Sequence, residues 1–251
     1  MTIGSLFSGI GGLDLGLERA GHTVRWQVES NAYCRAILNR HWPTVPCHDN
    51  VTTLTGQELA PVDIICGGFP CQPVSHAGLQ RGAIDDRWLW PHFARLLGVL
   101  RPRYALLENV PGLLTANGGR EFGHILADLA DGGYDAEWDC LPASAIGAPH
   151  LRYRVFIIAT LADSNRTGPQ GRELLPQRPG ERVIGEDSLG TRFFDAPIGG
   201  EWVPEPDVGR VAHGVPKRVD RLKTLGNAVV PQVAEWLGRR LSGYASARKS
   251  G

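Results

Sequence analysis

Short apolar runs alternate with stretches of helical period along residues 1–161, and that alternation confines the chain to a mostly parallel sheet flanked by helices. The strand-like runs are Thr2–Phe7, Thr23–Val28, a short piece leading to Asp49, Val62–Cys66, Tyr104–Leu107, Tyr134–Leu141 and Arg154–Leu161. Helices are predicted from Leu13 to Ala20, Asn31 to Arg40, Leu89 to Leu100 and Glu121 to Ala130. Each stops at or just before a Gly or Pro, residues that end helices by entering the left-handed region or by lacking an N–H. Residues 162–216 break the pattern, being rich in Gly, Pro, Arg and Asp without helical period. Such a stretch is either a linker or a small irregular lobe, and Phe193, Phe194 and Trp202 favour a partly ordered lobe. Regularity returns at Val219 and leads into a helix over Val229–Leu241 that begins near Pro231. The predicted organisation is therefore an α/β domain over 1–161, a separate short region over 162–216, and a segment over 217–251 that completes the first domain.

The chain of 251 residues, 42% of them hydrophobic, suits one domain of ordinary size. Its longest apolar stretch, Val155–Ala162, is far too short to span a bilayer. A strand-like run already at Thr2–Phe7 leads us to expect no secretory leader and a cytoplasmic location. The five cysteines (Cys34, Cys47, Cys66, Cys71, Cys140) lack zinc-site spacing, so reduced thiols and no metal site are expected. The formal net charge of zero hides an asymmetry: through Pro149 there are 10 Arg/Lys against 15 Asp/Glu, and from His150 onward 16 against 11. An acidic half joined to a basic one is compatible with a catalytic lobe and a polyanion-facing lobe, and equally with scattered surface charge.

Two loops concentrate the chemistry. Phe7-Ser8-Gly9-Ile10-Gly11-Gly12 leaves a strand and opens a helix. Its glycines admit close backbone approach and its helix N-terminus offers unpaired N–H groups, a description that fits a tight turn or a ligand site. Glu29 at the end of the second strand favours the ligand site, because an acid there can take two ribose hydroxyls. No Lys or Arg stands near these glycines to clamp a pyrophosphate, so a nucleoside with a zwitterionic tail fits as well as a dinucleotide. Asp49 could accept from an adenine amino group or be an ordinary loop carboxylate.

The second loop is Gly67-Gly68-Phe69-Pro70-Cys71-Gln72, directly after the Val62–Cys66 run. Pro70 and Pro73 bracket Cys71 with fixed backbone, and polar Gln72, Ser75 and His76 follow. A thiol so placed, with Glu108 at the end of the Tyr104–Leu107 run, suggests covalent catalysis with proton management.

Together these residues closely resemble the DNA (cytosine-C5) methyltransferases, over nearly everything except residues 162–216. Phe7-Ser8-Gly9-Ile10-Gly11-Gly12 is similar to that family's cofactor loop, Glu29 with Ser30 beside it to its ribose acid, and Asp49-Asn50 to its adenine site. Pro70-Cys71-Gln72 with Ser75 resembles the nucleophile segment, and Leu89 stands where the family touches cofactor. Glu108-Asn109-Val110, the arginine strand His150-Leu151-Arg152-Tyr153-Arg154 and the closing Gly226-Asn227-Ala228-Val229 complete the set in order and spacing. Two departures stand out: His150 replaces the commoner Gln, and the recognition stretch before the closing motif is short.

The resemblance implies a Rossmann-like methyltransferase fold, S-adenosylmethionine as cofactor, double-stranded DNA as partner, and a monomer acting without metal. It also implies that Cys71 attacks cytosine C6, that Glu108 serves N3, and that Arg154 holds O2. Arg152 would orient the catalytic loop or a phosphate, and Gln72 and Ser75 would meet the substrate. Phe7, Gly9, Ile10, Gly11, Gly12, Glu29, Ser30, Asp49, Asn50, Pro70, Leu89, Asn227, Ala228 and Val229 would bind cofactor. C6 is shielded in a stacked duplex, so the base would be flipped out beneath a loop at 72–85. Three rivals remain: the transfer-RNA branch of the fold, whose Cys-Phe-Thr segment this chain lacks, a catalytically silent DNA-binding relative, and a nicotinamide-dependent dehydrogenase. The last explains the glycine loop and Glu29 and leaves the cysteine loop without a role.

Overall fold

The computed structural model describes residues 1–70, 88–162, 224–225 and 227–247. Among the described residues seven strands form one sheet: β1 (Thr2–Leu6), β2 (Thr23–Val28), β3 (Cys47–His48), β4 (Ile64–Gly67), β5 (Tyr104–Asn109), β6 (Tyr134–Pro142) and β7 (Tyr153–Leu161). Among the described residues five helices of eight or more residues accompany them: α1 (Gly12–Arg19), α2 (Ala32–His41), α3 (Trp90–Leu100), α4 (Arg120–Asp131) and α5 (Pro231–Ala247). The strand order is β3-β2-β1-β4-β5-β7-β6. All seven strand-like runs of the sequence are strands here, and the α/β class with a mostly parallel sheet is as predicted.

The first five strands are parallel. β7 is antiparallel to both β5 and β6, so the parallel rule stops at that edge. The connection explains it. Only residues 143–152 separate β6 from β7, less than the dozen or more that a parallel crossover requires. β7 therefore folds back on β6 and slots in beside β5.

Both faces of the sheet are covered, which is why the central strands read as continuous apolar runs. Along β5, Ala105 and Leu107 point to one face while Tyr104 and Leu106 point to the other. The first face is closed by Trp90, Phe93, Leu96 and Leu97 of α3 with Ile125 and Leu129 of α4. The second is closed by Leu13 and Leu17 of α1, Leu38 of α2, and Val233, Ala234, Leu237 and Leu241 of α5.

α5 reaches its place by lying along α1. The approach depends on missing side chains: a Cβ on Gly16 would strike the Pro231 carbonyl, and one on Gly238 would come within 2.7 Å of Ala20 Cβ. The predicted 162–216 region lies outside the described residues apart from Ala162, whose N–H is bonded to Gly133 O at 2.9 Å.

Candidate active site

Parallel strands end at one edge of a sheet, and here that edge collects the predicted residues. Phe7 follows β1, Glu29 and Ser30 follow β2, Asp49 and Asn50 follow β3, Pro70 follows β4, and Glu108 is the last residue but one of β5. β7 contributes from its beginning, because an antiparallel strand starts where its parallel neighbours finish. Arg154 thereby stands opposite the end of β5, with Glu108 paired to Phe156 and Asn109 to Val155.

The glycine loop is bent by unusual backbone. Phe7 has φ 53°, Gly9 56° and Gly11 84°, all in the left-handed region that glycine enters without penalty and phenylalanine does not. Phe7 is held there by stacking on Phe93, ring centroids 6.4 Å apart. α1 opens at Gly12 with no side-chain cap, leaving its N-terminal N–H groups for something other than the chain's own side chains. A methyl group added to Gly9 would meet nothing described within 4 Å, so there is room over the loop. Glu29 accepts from Gly9 N at 2.7 Å through Oε2 and from Asn31 N at 2.7 Å through Oε1. Each oxygen keeps a lone pair, enough for the two hydroxyls of a ribose. Asp49 and Asn50 are exposed, and Asn50 Oδ1 closes a turn onto Thr52 N at 2.9 Å. Val229 packs its backbone against Gly12, so the 227–230 segment borders the same loop. Leu89 caps α3 and packs on the core beside it.

Glu108 is buried, with 8% exposure. Burial pushes its carboxyl up to about 7, and the guanidinium of Arg154, then that of Arg152, pulls the other way. Arg154 Nε lies 3.0 Å from Glu108 Oε1. Such a carboxyl is partly protonated near neutrality, able to donate a hydrogen bond as an acid and to accept one as a base. Gly68 makes room for it, since a Cβ there would sit 2.5 Å from Glu108 Oε2.

The root of the cysteine loop is fixed twice. Phe69 is buried among Trp88, Trp90 and Phe93, with centroids 5.8, 5.3 and 6.4 Å away. Its carbonyl accepts from Asn109 Nδ2 at 3.0 Å, so the loop leaves β4 tied to the residue next to Glu108. Asn109 and Gly68 are part of the quoted motifs, yet nothing in the sequence assigned them these tasks; only the neighbouring strand reveals the partner. Cys71, Gln72 and Ser75 lie outside the described residues, as do the rest of the 72–85 loop and Gly226.

Arg152 has φ 23° and donates from Nη2 to the carbonyl of Ala228 at 2.7 Å. Sequence reasoning assigned it to the catalytic loop or a phosphate; the bond to Ala228 ties the arginine strand to the closing segment as well. His150 Nδ1 is buried with no hydrogen-bond partner among the described residues. No group of His, Cys, Asp and Glu among the described residues could hold a metal ion. No described helix is long and apolar enough to cross a membrane.

Known proteins supply an independent comparison. The chain is 34% identical over 166 residues to the type II methyltransferase M2.BsuMI of Bacillus subtilis, covering 64% of this chain and 42% of that protein. It is 36% identical over 196 residues to M.NlaX of Neisseria lactamica, covering 73% and 62%. Among solved structures, an E. coli prophage protein described as a DNA modification methyltransferase matches with TM-score 0.55 and 32% identity, over 64% of this chain and 47% of that one. S. pombe Dnmt2 matches with TM-score 0.55 and 22% identity, over 66% and 52%, a likeness of fold. The chain thus spans about half the length of the curated relatives it matches. Residues 1–186 match the family described as C-5 cytosine-specific DNA methylase, and the chain belongs to that family.

Proposed function

We propose that this chain methylates C5 of cytosine in duplex DNA, with S-adenosylmethionine as methyl donor and Cys71 as covalent nucleophile. The observation that carries the reading is Glu108, a buried carboxyl raised to about 7 beside Arg154 and beside the root of the cysteine loop. Cytosine C5 is a weak nucleophile until a thiolate adds to C6 and makes the ring enamine-like. Addition drives electron density toward N3 and O2. A protonated Glu108 donates to N3, and Arg154 stabilises charge at O2. Loss of the C5 proton then expels Cys71 and restores the aromatic ring, with water as the simplest base.

The residues around the glycine loop fit the cofactor. The uncapped start of α1 suits its carboxylate, Glu29 suits its ribose hydroxyls, and the space over Gly9 admits its body. Phe7, Ile10, Gly11, Gly12, Ser30, Asp49, Asn50, Pro70, Leu89, Asn227, Ala228 and Val229 would complete that site. When bound there, S-adenosylmethionine supplies an electrophilic methyl group. Gln72 and Ser75 would meet the flipped base or its phosphate, and residues 162–216 would read the sequence around it. The DNA-directed reading is favoured over the transfer-RNA branch by the missing Cys-Phe-Thr segment.

Cys71→Ala should abolish both methylation and covalent trapping on 5-fluorocytosine DNA while leaving S-adenosylmethionine binding intact. Trapping that persists in this variant would remove Cys71 as the nucleophile. Bisulfite sequencing of DNA from cells expressing the chain reads activity and target together.

A further inference from the structure

Behind the glycine loop lies a buried polar cluster that the proposed chemistry does not use. Ser5 of β1 and Gln27 of β2 are register partners, and Asp14 of α1 lies over both. All three are fully buried. Asp14 Oδ2 accepts from Ser5 Oγ at 3.0 Å, and Asp14 Oδ1 accepts from Gln27 Nε2 at 2.8 Å. On the other side of Ser5 its partner is Cys66, buried on β4.

For stability alone this is a poor choice. No described cation pairs with Asp14, and burial raises its carboxyl to about 6, with Glu18 adding repulsion. Gln27 Oε1 finds no partner among the described residues. A buried ionisable group without a counter-charge costs free energy that a leucine in the same helix position would not.

What the cluster does is set geometry. Ser5 stands two residues before Phe7, Gln27 two before Glu29, and Asp14 two after Gly12. Above it, Glu29 reaches across to Gly9 N at 2.7 Å. Asp14 therefore ties the strand before the glycine loop and the helix after it to β2, while Glu29, directly after β2, holds the loop itself at Gly9 N. We propose that Asp14 is a positioning residue for the cofactor: through Ser5 and Gln27 it fixes β1, α1 and β2 so that Glu29 and the glycine loop hold S-adenosylmethionine. This inference rests on the cofactor assignment above.

The test is calorimetric titration of S-adenosylmethionine into the full chain without DNA, with a thermal midpoint for every variant. Gln27→Glu sets two buried carboxylates against each other and should weaken binding about tenfold or more, whereas Asp14→Asn alone leaves an amide pair that a flip of Gln27 can satisfy. The double variant again sets an amide N–H against a carboxylate, and binding should return to within about threefold of wild type. Ser5→Ala, which deletes the hydrogen bond to Asp14 and little volume, should weaken binding about threefold and decides the matter if Gln27→Glu does not fold. Cofactor affinity that stays unchanged in the foldable variants while midpoints fall overturns the inference, as does a double variant no better than the worse single one. A wild-type chain that binds no S-adenosylmethionine overturns the cofactor assignment itself and this inference with it.

Discussion

At the residue scale, Glu108 sets the pH behaviour. Its carboxyl titrates at about 7 in the folded chain against 4.5 when free, and Asp14 at about 6 against 3.8. Both folded values are raised, so between the free and folded values the native chain holds protons that the unfolded chain has released. Stability should therefore fall as pH rises through these windows and be recovered below them, which urea midpoints across about pH 4 to 8 will read. In the proposed mechanism the same proton would serve N3, so kcat/KM should decline on the alkaline side of about 7. Arg154→Ala removes the main charge opposing that rise. It should move the alkaline limb to higher pH and lower kcat by about 10²–10³-fold. A limb that stays in place would mean Glu108 is not the group being titrated.

At the element scale, the site depends on gaps left by glycine. Gly68→Ala would bring a Cβ to 2.5 Å from Glu108 Oε2 and force the carboxyl aside. The expected result is a drop in kcat of about tenfold or more, with S-adenosylmethionine affinity unchanged within about twofold. Equal losses in both would place the damage in the fold and not in the acid. Gly68 was legible as a loop-former, because Gly-Gly before Phe-Pro punctuates a strand, whereas Gly67, read as part of the same loop, is the last residue of β4, paired with Leu6 and Leu107. That Gly68 spares room for a carboxylate from the next strand was not legible, since Glu108 is 40 residues further along the chain. Asp14 is a similar case. One position after Leu13 and three before Leu17, it falls on the buried stripe of α1, a signal visible in the spacing but mute about its partners on β1 and β2.

At the scale of the whole molecule, the sheet gathers residues that span the described chain onto one edge. Five parallel strands deliver their ends and one antiparallel strand its start, so Phe7, Glu29, Glu108 and Arg154 share that edge. α5 then returns over α1 and brings the 227–230 segment to the glycine loop, where Arg152 ties it down. If residues 162–216 read the target while this framework performs the chemistry, exchanging that segment for a relative's should alter which sites are methylated before it alters cofactor affinity. Bisulfite sequencing of the chimera's product, beside a cofactor titration, checks this. Site choice that survives the exchange would assign recognition elsewhere.

The strands, the helices and the candidate residues were already determined by local features of the sequence: apolar period, glycine and proline punctuation, and short motifs in order. Each of these is written in neighbouring residues, where backbone propensity and burial pattern act. Only the tertiary structure decided that β7 runs antiparallel and presents Arg154 to Glu108, that Asn109 holds the Phe69 carbonyl, and that Asp14 joins two strands. Those are contacts between distant segments, and their energies come from desolvation and hydrogen bonds that do not exist until the sheet has closed around them.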